Sequence, residues 1–190
     1  MGARNIALLG GFVVLGALAI AATAAQPPAR QPDIHFAATP QPVVEAMLRL
    51  AKVGPGDVVY DLGSGDGRIV VIAAQQFGAR GVGIELQPAL VAASRQTALE
   101  GGVADRVRFI EGDFFVTDLS EATVVTMWLT DLLGRELAPK LRRELPPGAR
   151  IVSRQFRMGD WAPDETRTVD GETLFLWVVP RVLDRVAHDP

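Results

Sequence analysis

Val58-Val-Tyr-Asp-Leu-Gly-Ser-Gly-Asp-Gly-Arg-Ile-Val-Val-Ile-Ala-Ala74 decides the fold of this chain. An apolar run ends on the carboxylate of Asp61. Gly63, Gly65 and Gly67 then alternate through a turn, and an apolar pattern suited to a helix follows. A strand that delivers its last acid into a glycine-rich turn before a helix makes a nucleotide-type ligand site. Glycines there open backbone conformations closed to other residues and let a ligand come close to the main chain.

The charges in the turn narrow the ligand. Asp61 and Asp66 are both acidic, and Arg68 is the nearby cation. Two carboxylates repel the pyrophosphate that a dinucleotide would bring to the helix N-terminus. The spacing is also G-x-G-x-G and not the dinucleotide G-x-G-x-x-G. A cationic, phosphate-free nucleoside fits better, and S-adenosyl-L-methionine, with its sulfonium and amino groups, is such a ligand.

Two further strand-like runs end on acids. Gly81-Val-Gly-Ile-Glu85 closes on Glu85, eighteen residues beyond Gly67. A doubly wound α/β unit places there the acid that accepts hydrogen bonds from ribose hydroxyls. Val107-Arg-Phe-Ile-Glu-Gly-Asp113 ends on Asp113, suited to an adenine amino group, with Phe114 and Phe115 next in line to flank the base. Each acid alone reads as a solvated strand end. The three in series read as one site.

On Asp61, Gly63, Gly65, Gly67, Glu85 and Asp113 the chain resembles the class I S-adenosylmethionine-dependent methyltransferases, over about residues 39–180. Ala138-Pro-Lys-Leu-Arg-Arg-Glu-Leu-Pro-Pro-Gly-Ala-Arg-Ile-Val-Ser-Arg-Gln-Phe156 and Trp161-Ala-Pro163 carry a closer likeness. They are similar to the small membrane-associated protein-lysine methyltransferases of mitochondria and their bacterial relatives, whose mitochondrial members modify the adenine nucleotide translocase and the c subunit of ATP synthase. The resemblance implies a Rossmann-like fold, S-adenosyl-L-methionine as cofactor, and a protein substrate, a membrane protein being one possibility.

The rest of the pattern agrees with that fold. Strands are expected over 57–62, 81–85, 106–111, 122–129 and 149–154, with helices over 67–77, from 88 to before 101, and over 132–145. Alternating strands and helices imply an α/β, doubly wound, mostly parallel sheet. Thr166–Val169, Asp170-Gly171 and Thr173–Val179 read as a C-terminal hairpin that adds one antiparallel strand. An opening helix is expected from a Thr39 N-cap, through Pro40, to Lys52. That this helix covers the cofactor is implied by the resemblance alone. Phe156 to Glu165 is too short and too rich in Gly, Pro and Asp for a helix.

The acceptor side is read from the fourth strand. It ends Val124-Val-Thr-Met-Trp-Leu-Thr-Asp131 and lacks the Asn/Asp-Pro-Pro-aromatic motif of many adenine and amide methyltransferases. Trp128 suits the wall of a channel for an aliphatic amine, and Asp131 a place near its mouth. The plainer reading packs Trp128 in the core and lets Asp131 cap the next helix. Trp161 reads as a lid over the sheet edge.

Composition sets bounds. The chain has 190 residues, enough for one domain, a net charge of −3 and no cysteine. The mild acidity indicates no general affinity for nucleic acid. The absence of cysteine excludes disulfides and thiolate metal sites, and His35 and His188 lie too far apart for metal-ligand spacing, so no metal is expected. Ile6 to Ala25 is apolar and uncharged, after Arg4. It reads either as a signal peptide or as a membrane anchor. The expected organisation is 1–25 signal or anchor, 26–38 Pro-rich linker, 39–182 methyltransferase domain and 183–190 tail. Inner-membrane association follows from the anchor reading, and a periplasmic, exported domain from the other. Two other functions compete with protein-lysine methylation: methylation of a small molecule, and a non-catalytic S-adenosylmethionine-binding envelope protein.

Overall fold

The computed structural model describes residues 37–180. The expected signal or anchor over 6–25 and the tail over 183–190 lie outside the described residues. The elements run α1 (Gln41–Leu50), β1 (Val58–Leu62), α2 (Arg68–Phe77), β2 (Arg80–Glu85), α3 (Pro88–Glu100), β3 (Val107–Glu111), β4 (Val124–Met127), α4 (Asp131–Glu144), β5 (Arg150–Arg154), β6 (Glu165–Val169) and β7 (Glu172–Val178).

Seven strands form one sheet in the order β3-β2-β1-β4-β5-β7-β6. The first five are parallel; β7 runs antiparallel to both β5 and β6. The hairpin therefore supplies one antiparallel strand, β7, as its pattern predicts. All five residues of β1 and all four of β4 are buried. A central parallel strand is covered on both faces, which is why these runs are almost wholly apolar. The hydrophobic interior divides into two layers. Val43, Met47 and Leu48 of α1 and Val70 and Ala73 of α2 pack on one face of the sheet, while Leu137 and Leu141 of α4 pack with Ile151 and Trp177 on the other.

The segment from Phe156 to Asp164 forms no helix and includes a bridge between Met158 and Trp161. Trp161 lies over Trp177 with ring centroids 6.4 Å apart, and its carbonyl accepts the Trp177 indole N–H at 2.8 Å. Trp161 therefore packs over β7 on the α4 face, one strand in from the β6 edge where a lid is expected.

One end of the opening helix differs from expectation. Pro40, not Thr39, occupies the N-cap position, with no side-chain cap. Pro42 also lies in the first turn, where two prolines remove N–H groups that would need a cap. The helix stops at Leu50, and Lys52 turns to φ +52°. Among the described residues no helix is long and apolar enough to cross a membrane.

Candidate active site

Strand order reverses between β1 and β4, with β2 and β3 on one side and β5 on the other. Open α/β sheets bind ligands in the crevice outside the carboxyl ends of the strands at such a switch point. Leu62 and Met127 are register partners at the ends of β1 and β4. The glycine turn leaves the first strand and Trp128 leaves the second at this level.

The turn is held by its neighbours. Gly63, Gly65 and Gly67 all have positive φ, at +76°, +54° and +77°. The amides of Gly63 and Ser64 donate to the Ile84 carbonyl. The Gly65 amide donates to Glu85 Oε2 at 3.0 Å, and the Gln87 amide to Oε1 at 3.0 Å. Ser94 of α3, fully buried, donates to the Gly65 carbonyl at 2.7 Å. A Cβ on Gly67 would lie 2.6 Å from the Phe109 ring and 2.9 Å from Ser94 Cβ. Glycine is thus required at Gly67 for space as well as for φ.

Asp61 is 3% exposed, and its Oδ1 accepts from Thr126 Oγ1 at 2.8 Å. Among the described residues no lysine or arginine pairs with it. Burial, against the Thr126 hydrogen bond and with help from the charges of Glu85 and Asp66, pushes its carboxyl up to about 7. A buried carboxylate lacking a cation is costly, and the arrangement suits a ligand that brings one. Asp66 is different. Burial alone would raise it, but hydrogen bonds and charge from Arg68 outweigh that and hold it below the ordinary carboxylate range. Arg68 also donates to the Thr39 carbonyl at 3.1 Å, tying the start of the described chain to the turn.

Glu85 accepts two backbone N–H groups, one on each oxygen. A carboxylate has about four lone-pair sites, so capacity remains for two more donors such as a pair of hydroxyls. Asp113 is half-buried, and its Oδ1 accepts from the Phe115 amide at 2.8 Å. Phe114 is buried in the α4-side layer, and Phe115, tilted against it at 4.9 Å between centroids, is the more exposed ring.

The acceptor-side residues take neither plain expectation in full. Trp128 is half-buried; its indole N–H donates to Gln155 Oε1 at 3.0 Å, and the Arg154 guanidinium lies 4.0 Å from its ring centroid. Asp131 is exposed and does not cap α4. Thr130 caps it, accepting the Leu133 amide, while Asp131 Oδ1 accepts the Arg157 amide at 2.8 Å. That bond ties the start of α4 to the loop after β5.

Sequence reasoning passed over Thr126, Ser94, Arg154 and Gln155. Thr126 had a signal, since it is the polar residue inside an otherwise apolar strand. A groove lined by Arg80, Arg106, Arg108 and Glu121 lies at the opposite, amino end of the strands, away from this chemistry.

Residues 61–165 match the ANTKMT methyltransferase domain, from Asp61 through the glycine turn to the start of β6. The chain belongs to this family.

Among relatives of this ANTKMT-family chain is the protein-lysine N-methyltransferase of Saccharolobus islandicus. It is 40% identical over 153 residues, covering 78% of this chain and 95% of the relative. The adenine nucleotide translocase lysine N-methyltransferase of Mus musculus is 41% identical over 121 residues. That match covers 63% of this chain and 52% of the mouse protein. A solved structure described as an RNA methyltransferase from Salinibacter ruber, in complex with S-adenosyl-L-homocysteine, is 53% identical. Its TM-score is 0.75, over 76% of this chain and 95% of that one. This family member is an S-adenosylmethionine-dependent methyltransferase.

Proposed function

We propose that this enzyme is a protein-lysine N-methyltransferase. The observation that carries the proposal is 40% identity, over nearly the full length of the relative, to a protein-lysine N-methyltransferase. The lack of an Asn/Asp-Pro-Pro-aromatic motif at the end of β4 supports an aliphatic amine over a planar nitrogen as acceptor.

In this reading Asp61 would hold the cationic amino-acid end of S-adenosylmethionine. Gly63, Gly65 and Gly67 would line its approach, Glu85 would accept the ribose hydroxyls, and Asp113 with Phe114 would border the adenine. The cofactor supplies a methyl group already activated on a sulfonium. The enzyme's task is then to align an amine and exclude water. Trp128 would form one wall of the amine's path. Asp131, at the mouth, would draw in a protonated lysine, which must shed its proton before it reacts.

The test is labelling with tritiated S-adenosylmethionine. A membrane fraction and a total RNA preparation from cells lacking this protein serve as acceptors. Label in a protein band that survives ribonuclease and yields methyl-lysine on hydrolysis supports the reading. The likeness to the protein described as an RNA methyltransferase favours a second reading, RNA as acceptor. The net charge of −3 speaks against it, since RNA binding draws on basic surfaces. Label lost to ribonuclease would establish it.

We also propose that residues 6–25 associate the enzyme with the inner membrane, as an uncharged apolar run of about twenty residues can. Residues 26–38 would then be a linker to a catalytic domain over 39–182. Carbonate extraction tests this, and a soluble, processed form would overturn it.

A further inference from the structure

Four side chains close a ring at the carboxyl ends of β4 and β5. Trp128 follows β4, Arg154 ends β5, Gln155 follows it, and Glu172 opens β7. The Trp128 indole donates to Gln155 Oε1 at 3.0 Å, and Gln155 Nε2 donates to Glu172 Oε2 at 2.6 Å. Glu172 receives the Arg154 guanidinium on both oxygens, Nη2 to Oε1 at 2.7 Å and Nε to Oε2 at 3.2 Å. The same guanidinium lies on the indole.

Such a ring needs each part as it is. Arginine presents a planar, permanently charged fork that can grip a carboxylate with two donors and stack on an aromatic face at once. Its side chain is 8% exposed, while Glu172 on the other side of the ion pair keeps 21%. Gln155 sits at φ +65°, a left-handed conformation that is strained for a non-glycine residue. Its amide group is bonded at both ends, and its backbone N–H donates to the Thr173 carbonyl at 2.7 Å. Strain of this kind persists where surroundings over-determine it, and it clusters at functional sites. Neither the packing layers nor the sheet ladder requires a glutamine side chain at this exposed position.

We infer that Arg154, Gln155 and Glu172 are positioning residues that fix the plane of the Trp128 indole on the acceptor side of the site. The inference rests on the reading of Trp128 as a wall of the acceptor path. Arg154 also links that wall to the cofactor side. Its Nη1 reaches Thr39 Oγ1 at 3.4 Å, and the Thr39 carbonyl is held by Arg68, which pairs with Asp66 in the turn. Alignment of nucleophile and methyl group therefore depends on side chains that touch neither.

The test uses Arg154→Lys and Glu172→Gln in the full chain, with Trp128→Phe to assign one of three indole N–H resonances. Lysine lacks the fork and the planar stack, and glutamine lacks the charge. Both variants are expected to move or broaden the Trp128 resonance and to leave those of Trp161 and Trp177 in place. Initial rates of tritium transfer to a membrane fraction should fall on the order of 10- to 100-fold, as misplacement of about 1 Å can cause. In Glu172→Gln, S-adenosylmethionine affinity should stay within about twofold, because the hydrogen bonds of Glu172 among the described residues go to Arg154 and Gln155 and not to the turn. An unmoved Trp128 resonance in both variants would overturn the inference. A moved resonance with a full transfer rate would overturn it as well. If Trp128→Phe itself transfers at the full rate, the reading of Trp128 as a wall fails, separately from the ring.

Discussion

Thr126 and Asp61 face each other as register partners on β4 and β1, and the threonine hydroxyl donates to the aspartate at 2.8 Å. That hydrogen bond supports a buried carboxylate that also feels the like charges of Glu85 and Asp66. It does not suffice to keep the carboxyl in its ordinary range, which burial pushes up to about 7.

That shift makes stability depend on pH. The unfolded carboxyl titrates near 3.8 and the folded one near 7, so between them the native state holds a proton that the unfolded state has lost. Stability without cofactor therefore falls as pH rises through this window, and the loss is complete above about 7. Its upper bound is about 4 kcal/mol. Asp61→Asn keeps an acceptor for Thr126 and cannot ionise. Urea unfolding should find the cofactor-free variant more stable than wild type near pH 8, with the gap closing toward about pH 4. No gap near pH 8 would contradict the shift.

The same proton competes with the ligand. If Asp61 meets a cationic group, S-adenosylmethionine affinity should rise from about pH 5.5 to about pH 7, by up to about tenfold per unit. Asp61→Asn should bind more weakly and lose most of that slope. Calorimetry across the range reads both effects.

Ser64 in the turn and Ser94 of α3 beneath it should respond differently to alanine. Ser94 donates to the Gly65 carbonyl and the Leu90 carbonyl, so Ser94→Ala should cost about 1 kcal/mol and loosen cofactor binding. The Ser64 hydroxyl is buried and has no hydrogen-bond partner among the described residues. Removing an unsatisfied buried hydroxyl restores what its desolvation costs, so Ser64→Ala should be neutral or stabilising by about 1 kcal/mol. Thermal unfolding of the two variants compares them directly.

Gly67 and Gly102 separate space from backbone conformation. Both have positive φ, at +77° and +67°, but a Cβ at Gly102 meets nothing within 4 Å among the described residues. Gly102→Ala should cost about 1–2 kcal/mol for conformation alone. Gly67→Ala adds the clash with Phe109 and Ser94, a further 1–3 kcal/mol or so. Equal losses in denaturant unfolding would mean that the turn has room it does not show.

Much of the fold is legible in the sequence because its signals are local. The five parallel strands are short apolar runs bounded by turns, and the three acids sit at strand ends where the chain itself places them. The contacts that finish the site are not local. Thr126 reaches Asp61 across 65 positions, Arg154 reaches Thr39 across 115, and Ser94 reaches Gly65 across 29. No spacing rule pairs such residues; register and packing do. Thr39 shows the limit well. Threonine before Pro40 has the composition of a helix cap, yet its side chain is buried against Arg154 and its carbonyl is held by Arg68. Asp131 likewise has the sequence position of a capping acid and serves the Arg157 amide instead, since Thr130 already holds the cap.

The central claim is that the carboxylates on β1 and β2 hold S-adenosylmethionine. Calorimetric titration of S-adenosylmethionine into wild type, Asp61→Ala and Glu85→Ala near pH 7.5 tests it most directly. Each substitution should weaken binding by about 1–3 kcal/mol, on the order of 5- to 150-fold, through lost hydrogen bonds to charged groups. Folded variants that both bind with wild-type affinity would contradict the account.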